Sequence, residues 1–553
     1  MTNPELKVFR EILMWPLRLE GGSASRGEIT EKAAELLEAS AEWHRHKDLY
    51  DRSGAAVSKQ GKQDERNYAE FVYFHPFVQN FLYPVPGGEP PALRLYYRKD
   101  VHVIALTAWN AVEQHEFAVE LKVERLHLYL FELGIVVLVL EVVHDPASGS
   151  PPVELDPSPI STRHRPSLSL HDAQAVLDKL RHAYPAYWDG GRPGHCPISV
   201  RLVGARDTVL AEETFHNDPG HAFTNFVSTH HHPPFAGHWR YLLKPLAPRA
   251  EAGDRGVGYC HLLDERIPVL AFLAFDNPRA LTEHDFARLC FADEPGSSAA
   301  PPYSPSILAG FADTYCYDRY WPPTAEPATA WMNTRYLCSG YAFVVTGSAA
   351  PDSFLLGDGL VHFRRHYFQL GLIAQFHKAA LLAIENELAE AVRHLTSGPG
   401  QAAATRTLRN GIEAVHVELM RFTHRYWFLE VSNQVQAREL FALWQRHLGT
   451  ERLYDHVLRE VKDIYGYLSA QADTRTAADS AWVSKAVAVT VPIALAATLL
   501  GSSTLVDEAR VIRDTWLPGW HGLLGPWIGP EIMALAGGVA LGLYLWVRRR
   551  EQS

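Results

Sequence analysis

Basic charge is scarce in this chain of 553 residues: 52 Lys and Arg stand against 63 Asp and Glu, a formal net charge of −11 at neutral pH. That balance argues against nucleic acid as a partner, because a nucleic-acid surface ordinarily needs a basic face. Cysteine is scarce too. The five, Cys196, Cys260, Cys290, Cys316 and Cys338, are odd in number and show no CxxC spacing, so they read as reduced cytosolic thiols rather than a disulfide framework. Met1–Glu20 lacks a basic start followed by an apolar run, so no signal peptide is expected. There is no Walker loop, dinucleotide fingerprint, nucleophile elbow or Cys–His pairing, and the chain is not expected to be an enzyme.

What is present suffices for two or three domains: 47% of residues are hydrophobic and 21% charged, with mean hydropathy −0.14. Residues 1–365 read as a cytosolic α/β domain. Strand-like runs cover Val8–Leu19, Phe71–Leu82, Val101–Ala111, Leu121–Phe131, Ile135–Val143 and Ile267–Phe275. The short Glu132-Leu133-Gly134 link predicts a hairpin. Helices are expected over Gly27–His44, over Leu170–His182 after the cap Ser169 with Asp172, and over Glu283–Cys290 after Thr282 with Asp285.

From Arg365 onward the pattern is helical, and residues 366–484 read as a stalk. His366–Leu395 ends at Thr396-Ser397-Gly398-Pro399-Gly400. Between Ala403 and Leu448, Leu408, Ile412, Val415, Leu419, Phe422, Tyr426, Leu429, Asn433, Gln436, Leu440, Leu443 and His447 recur at alternating steps of four and three. That is a heptad seam and predicts a continuous helix packed against partners along its length. After Gly449 a third helix is expected to continue to Val506.

The run Ala486–Val506 carries no formal charge, and Ile532–Val547 follows the uncharged stretch Gly522–Pro530. About twenty apolar residues span a hydrocarbon core, so two transmembrane helices are expected, over about 486–506 and 525–547, in a membrane domain at 485–550. Lys485 and Arg548–Arg550 flank the pair, while the connection carries Asp507, Glu508, Arg510, Arg513, Asp514 and Glu531 and so has no basic excess. The positive-inside rule places both termini in the cytoplasm, in a multi-pass protein of the inner membrane surrounded by lipid.

This order of elements resembles the CorA family of divalent-cation transporters. In that family a proline of the first span precedes a Gly-Met-Asn motif by nine residues; here Pro492 precedes Gly501, followed by Ser502 and Ser503. The resemblance covers about 366–550 by architecture and implies a homopentameric channel for Mg²⁺, Co²⁺, Ni²⁺ or Zn²⁺, with no resident cofactor. Serine in place of the asparagine removes an amide carbonyl that a hydrated hard cation would use, so magnesium selectivity is not carried over. Thr490, Ala494, Ala497, Thr498, Gly501, Ser502 and Ser503 would line the pore, although a stripe of small residues equally suits helix packing. Asp507 and Glu508 would form an outer acidic ring, or are ordinary loop charge.

A second candidate is the stretch 216–238, where His216, His221, His230 and His232 could hold zinc, nickel or copper; its spacing matches no defined zinc pattern, and loop histidines are also simply structural. Three readings stay open. One is a CorA-like channel gated by a small-molecule or ion ligand of its cytosolic domain. Another is a membrane-anchored signalling effector or sensor on the same frame without ordinary transport. The last is a membrane-tethered enzyme.

Overall fold

Along the strand Leu6–Glu20 (β1), side chains alternate between two faces. Phe9, Glu11, Leu13, Trp15 and Leu17 share one, and Arg10, Ile12, Met14 and Arg18 the other. All of these are buried, so both faces of the sheet that β1 centres are covered. The computed structural model describes residues 4–466 apart from 22–24, 47–67, 84–91, 145–162, 165–167, 186–195, 216–221, 231, 254–255, 325, 327–328, 330 and 394–400. Two units are distinguished, Met1–Val461 and Lys462–Ser553; the described part of the second is 462–466.

The sheet of the first unit is built from β1, β2 (Leu93–Tyr97), β3 (Val103–Asn110), β4 (His115–Phe131), β5 (Ile135–His144), β6 (Ser199–Val203), β7 (Val209–Thr214), β8 (Gly258–His261), β9 (Val269–Phe275), β10 (Cys316–Tyr320), β11 (Thr334–Cys338) and β12 (Ala342–Ser348). Its order is β10-β11-β12-β9-β1-β5-β4-β3-β6-β7, with β2 joined to β4, β8 joined to β1, and three two-residue strands at its margins. Neighbours along the path are antiparallel except β9 and β12, which run parallel. The β4–β5 hairpin turns at Gly134, whose φ of +70° suits glycine.

One face is covered by α1 (Arg26–Ala39), α3 (Leu170–Lys179), α5 (Gly237–Leu243) and α6 (Glu283–Phe291), whose Ala33, Leu37, Val176, Leu177, Trp239, Phe286 and Leu289 share a core with Phe9, Leu13 and Trp15. Ser25, Ser169 and Thr282 close capping boxes with Glu28, Asp172 and Asp285 at the starts of α1, α3 and α6. The opposite face takes α7 (Phe368–Arg393), with Phe376 stacked on Phe131 at 4.2 Å, and α9 (Val435–Leu448), with Trp444 stacked on Phe343 at 4.5 Å.

Two expectations are corrected here. Phe71–Leu82 is not a strand: Pro76 opens the helix α2 (Pro76–Leu82), and Val78, Phe81 and Leu82 point inward at helical spacing. The larger correction concerns the fold class, expected as an α/β domain, a long stalk and two C-terminal transmembrane helices. The heptad stretch is two helices, α8 (Gln401–Arg425) and α9, separated by the non-helical segment Tyr426–Gln434. Its seam residues Leu408, Ile412, Val415, Leu419, Phe422 and Tyr426 are buried, whereas Leu429 is 64% exposed. The apolar face is covered within the chain: α8 and α9 pack on α7, and α7 packs on β1 and β5. A further helix covers 450–466. No helix among the described residues is long and apolar enough to cross a membrane. The stretches 486–506 and 525–547, with Thr490, Ala494, Ala497, Thr498, Gly501, Ser502, Ser503, Asp507 and Glu508, lie outside the described residues.

Candidate functional site

Glu11 stands in the middle of β1, fully buried, and neither carboxylate oxygen has a hydrogen-bond partner. Burial pushes its pKa up to about 8, and the nearby Arg181 guanidinium only partly opposes this. Arg181 follows α3 and is itself fully buried. Its Nη2 donates to the Ala292 carbonyl at 3.3 Å, while Nε and Nη1 have no partner. Asp178, one turn back on α3, is 1% exposed, and neither of its carboxylate oxygens is hydrogen-bonded. Gln174 and His171 on the same helix are buried with their side-chain polar atoms likewise unpartnered. Buried polar groups are ordinarily satisfied, so this concentration on one helix and the strand it covers marks a place where the fold has accepted a cost.

Arg181 packs against the wall of an opening. A cavity of about 530 Å³ is lined by Asp264, Glu265, Arg266 and Tyr341 at the starts of the parallel strands β9 and β12. The Arg181 guanidinium lies 5.3 Å from the Tyr341 ring centroid. The 181–183 segment is tied to this wall by backbone hydrogen bonds, Ala183 N–H to Glu265 at 2.9 Å and Ile267 N–H to Arg181 at 2.7 Å. Asp293, just beyond α6, is raised to about 6 by burial, against the pull of Arg266. Burial also raises Asp178 and Tyr341. A cavity beside several perturbed ionisable groups is the usual signature of a binding or reaction site.

Tyr341 is held from the opposite side of the sheet. Gly340 precedes it with φ +90°, and a Cβ there would lie 2.9 Å from the His447 carbonyl carbon, so the turn requires glycine. The Gly340 carbonyl accepts from Gln375 Nε2 of α7 at 3.0 Å and from Trp444 Nε1 of α9 at 2.9 Å. The cavity wall and the helical layer therefore share one backbone carbonyl.

Beneath the helices on that second face, Glu141 of β5 sits among three guanidinium groups. Arg364 Nε donates to it at 2.6 Å and Arg125 Nε lies at 2.9 Å, with Arg10 completing the set. Burial alone would raise the Glu141 carboxyl; Arg125, Arg364 and Arg10 outweigh it and hold the pKa at about 2.

The histidine stretch is only partly described. His216 and His221 lie outside the described residues. His230, at the end of α4 (Ala222–His230), donates Nδ1–H to the Phe226 carbonyl at 3.0 Å, and His232 to the Pro233 carbonyl at 2.8 Å, with ring centroids 6.0 Å apart. His238 is buried, and burial lowers its pKa to about 3. Among the described residues Glu113, His115 and Asp172 form a close His and carboxylate group. Asp172 is already engaged there, capping α3 and accepting from Asn110 Nδ2 at 2.8 Å, and Glu113 accepts from Ser169 Oγ at 3.3 Å.

Arg181, Arg266 and Tyr341 carried no local signal in the sequence. Each lies outside any motif, and only the pairing of 181–183 with 265–267 beside the Tyr341 turn brings them together. No protein-family model matches the chain, and no curated protein or solved structure matches it.

Proposed function

We propose that residues 4–461 form the ligand-sensing body of a membrane-attached signalling protein, and that its ligand is a small polar molecule taken up in the Tyr341 cavity. The observation that carries this is the Gly340 carbonyl. A ligand resting on Tyr341 touches the turn whose preceding residue α7 and α9 hold by hydrogen bonds. Occupancy is thereby linked to the helical layer through one short segment, which is what a sensor requires.

The lining sets the ligand class. Arg266 offers donors, Asp264 and Glu265 offer acceptors, and Tyr341, 40% exposed, offers a ring face. Such a mixture suits a molecule bearing both donor and acceptor groups, such as an amino acid or a nucleoside, better than a bare anion. Asp293, near the midpoint of its titration at pH 6, adds a pH-dependent charge close by. The uncharged run Ala486–Val506 supports attachment to a membrane, and the divalent-cation reading rests on the order of elements over about 366–550 and the Pro492–Gly501 spacing.

Thermal unfolding of the full-length protein against a panel of amino acids and nucleosides tests the proposal. At least one compound is expected to raise the midpoint, and Tyr341→Ala and Arg266→Met are expected to abolish that rise. A panel without effect, or a rise that survives both substitutions, contradicts it.

A further inference from the structure

A guanidinium is a rigid fork of N–H donors that keeps its charge inside a protein, so a buried one is ordinarily met by acceptors around its whole edge. Arg181 departs from this. It is fully buried, and its Nη2 donates to the Ala292 carbonyl at 3.3 Å, while Nε and Nη1 have no acceptor in the protein. Two carboxyl groups, Glu11 and Asp178, lie near enough to act on it electrostatically, yet neither accepts a hydrogen bond from it. Asp178 stands instead 3.6 Å from Lys179 Nζ. What the Arg181 guanidinium does face is an aromatic ring, that of Tyr341, with 5.3 Å to the ring centroid.

That ring belongs to the cavity as well. Tyr341 is 40% exposed and shares the lining with Asp264, Glu265 and Arg266. Asp264 and Glu265 are exposed, so charge is graded with depth: carboxylates at the surface, then the ring, and beside it a buried cation with donors to spare. A carboxylate makes charge-assisted hydrogen bonds to a guanidinium, a stronger interaction than the face of a ring provides. An anionic group entering the cavity therefore competes with Tyr341 for Arg181. The Tyr341 side chain can turn about its Cα–Cβ bond while its own carbonyl still accepts from Val269 N–H at 2.8 Å, so the ring moves without unpairing β9.

We propose that Arg181 is the specificity-determining residue of this cavity: the Tyr341 ring turns aside, and the guanidinium receives the carboxylate of a zwitterionic amino acid whose ammonium group rests on Asp264 or Glu265. The inference depends on the Tyr341 cavity being the ligand site, and it narrows the ligand from polar molecules in general to amino acids with a free carboxylate. A nucleoside offers Arg181 no charge, and a bare anion leaves the two surface carboxylates unanswered. Discrimination of this kind is strong, because a ligand that lacks the carboxylate leaves the buried donors as unmet as before.

The test is equilibrium dialysis of the full-length protein against free L-amino acids, the α-carboxamide of each, and nucleosides. At least one amino acid is expected to bind, and its carboxamide to bind about tenfold or more weakly, the usual worth of a hydrogen bond to a charged group. Arg181→Met is expected to bring the acid down to the level of its carboxamide and to leave the carboxamide's own affinity unchanged, a split that a merely structural role for Arg181 does not produce. Should Arg181→Met not fold, the acid and carboxamide comparison on the unmodified protein decides. Equal binding of acid and carboxamide, or equal weakening of both by Arg181→Met, would overturn the assignment. Nucleoside binding that Tyr341→Ala abolishes, with no amino acid bound, would overturn it and leave the cavity as the ligand site. No binding by any of the compounds would overturn both.

Discussion

Two buried carboxylates on neighbouring strands of one sheet have opposite electrostatic fates, and each yields a test. Glu141 is held ionised by three arginines, so its folded-state pKa lies below its unfolded value. Its contribution to stability is present above the unfolded pKa and is lost as pH falls from about 4.5 towards about 2. Glu141→Gln leaves three guanidinium groups short of a counter-charge and is expected to cost about 3–5 kcal/mol at neutral pH, a difference that shrinks on acidification. Urea denaturation at pH 7 and at pH 3 measures it. Glu11 behaves in the reverse sense. Its pKa is raised by burial to about 8, so stability is lost as pH rises from the unfolded value towards and through about 8. Glu11→Gln is expected to match the unmodified protein near pH 4 and to exceed its stability by roughly 2 kcal/mol or more at pH 8. Equal stability at pH 8 would mean that the nearby Arg181 guanidinium offsets the burial of the Glu11 charge in full. Neither environment could be read from the sequence, since Arg364 and Glu141 are separated by 223 positions and meet only in the folded sheet.

At the scale of elements, what was legible is what local chemistry decides. The hairpin at Glu132–Gly134 follows from a short link ending in glycine, and the starts of α3 and α6 follow from their capping boxes. Phe71–Leu82 shows where apolar content misleads: its bulky run suits a strand, but a proline at a helix's first turn decides for α2. The heptad seam was legible as an apolar stripe and not as a destination. Steps of four and three specify that a helix buries one face, and say nothing about whether a second chain or the same chain covers it. Here α7 covers it, and the stripe is interrupted between α8 and α9. Phe422, fully buried against the Phe376 and His377 rings, is accordingly expected to cost about 3–5 kcal/mol when replaced by alanine. Val417 of the same helix is 57% exposed, and its alanine variant is expected to stay within about 0.5 kcal/mol of the unmodified protein. Chemical denaturation of both variants separates a core face from a free one.

For the molecule as a whole, the two faces of the sheet carry different duties. One holds the buried Glu11, Asp178 and Arg181, whose hydrogen-bonding capacity is left largely unmet, beside the Tyr341 wall of the cavity, and the other carries the arginine-clamped Glu141 under the π-helical segment that leads into α7. Unsatisfied groups lower stability, whereas the arginine-clamped network around Glu141 fixes one arrangement of strands and helices. The Gly340 turn connects the two faces, and the sensing account stands or falls on whether a ligand acts there. The most direct measurement is amide hydrogen exchange of the full-length protein with and without the most stabilising compound from the amino-acid and nucleoside panel. The account predicts slowed exchange in 178–183, 264–267 and 339–342, extending to the parts of α7 and α9 around Gln375 and Trp444. Protection confined to other segments, or no compound that alters exchange in these three, would contradict it.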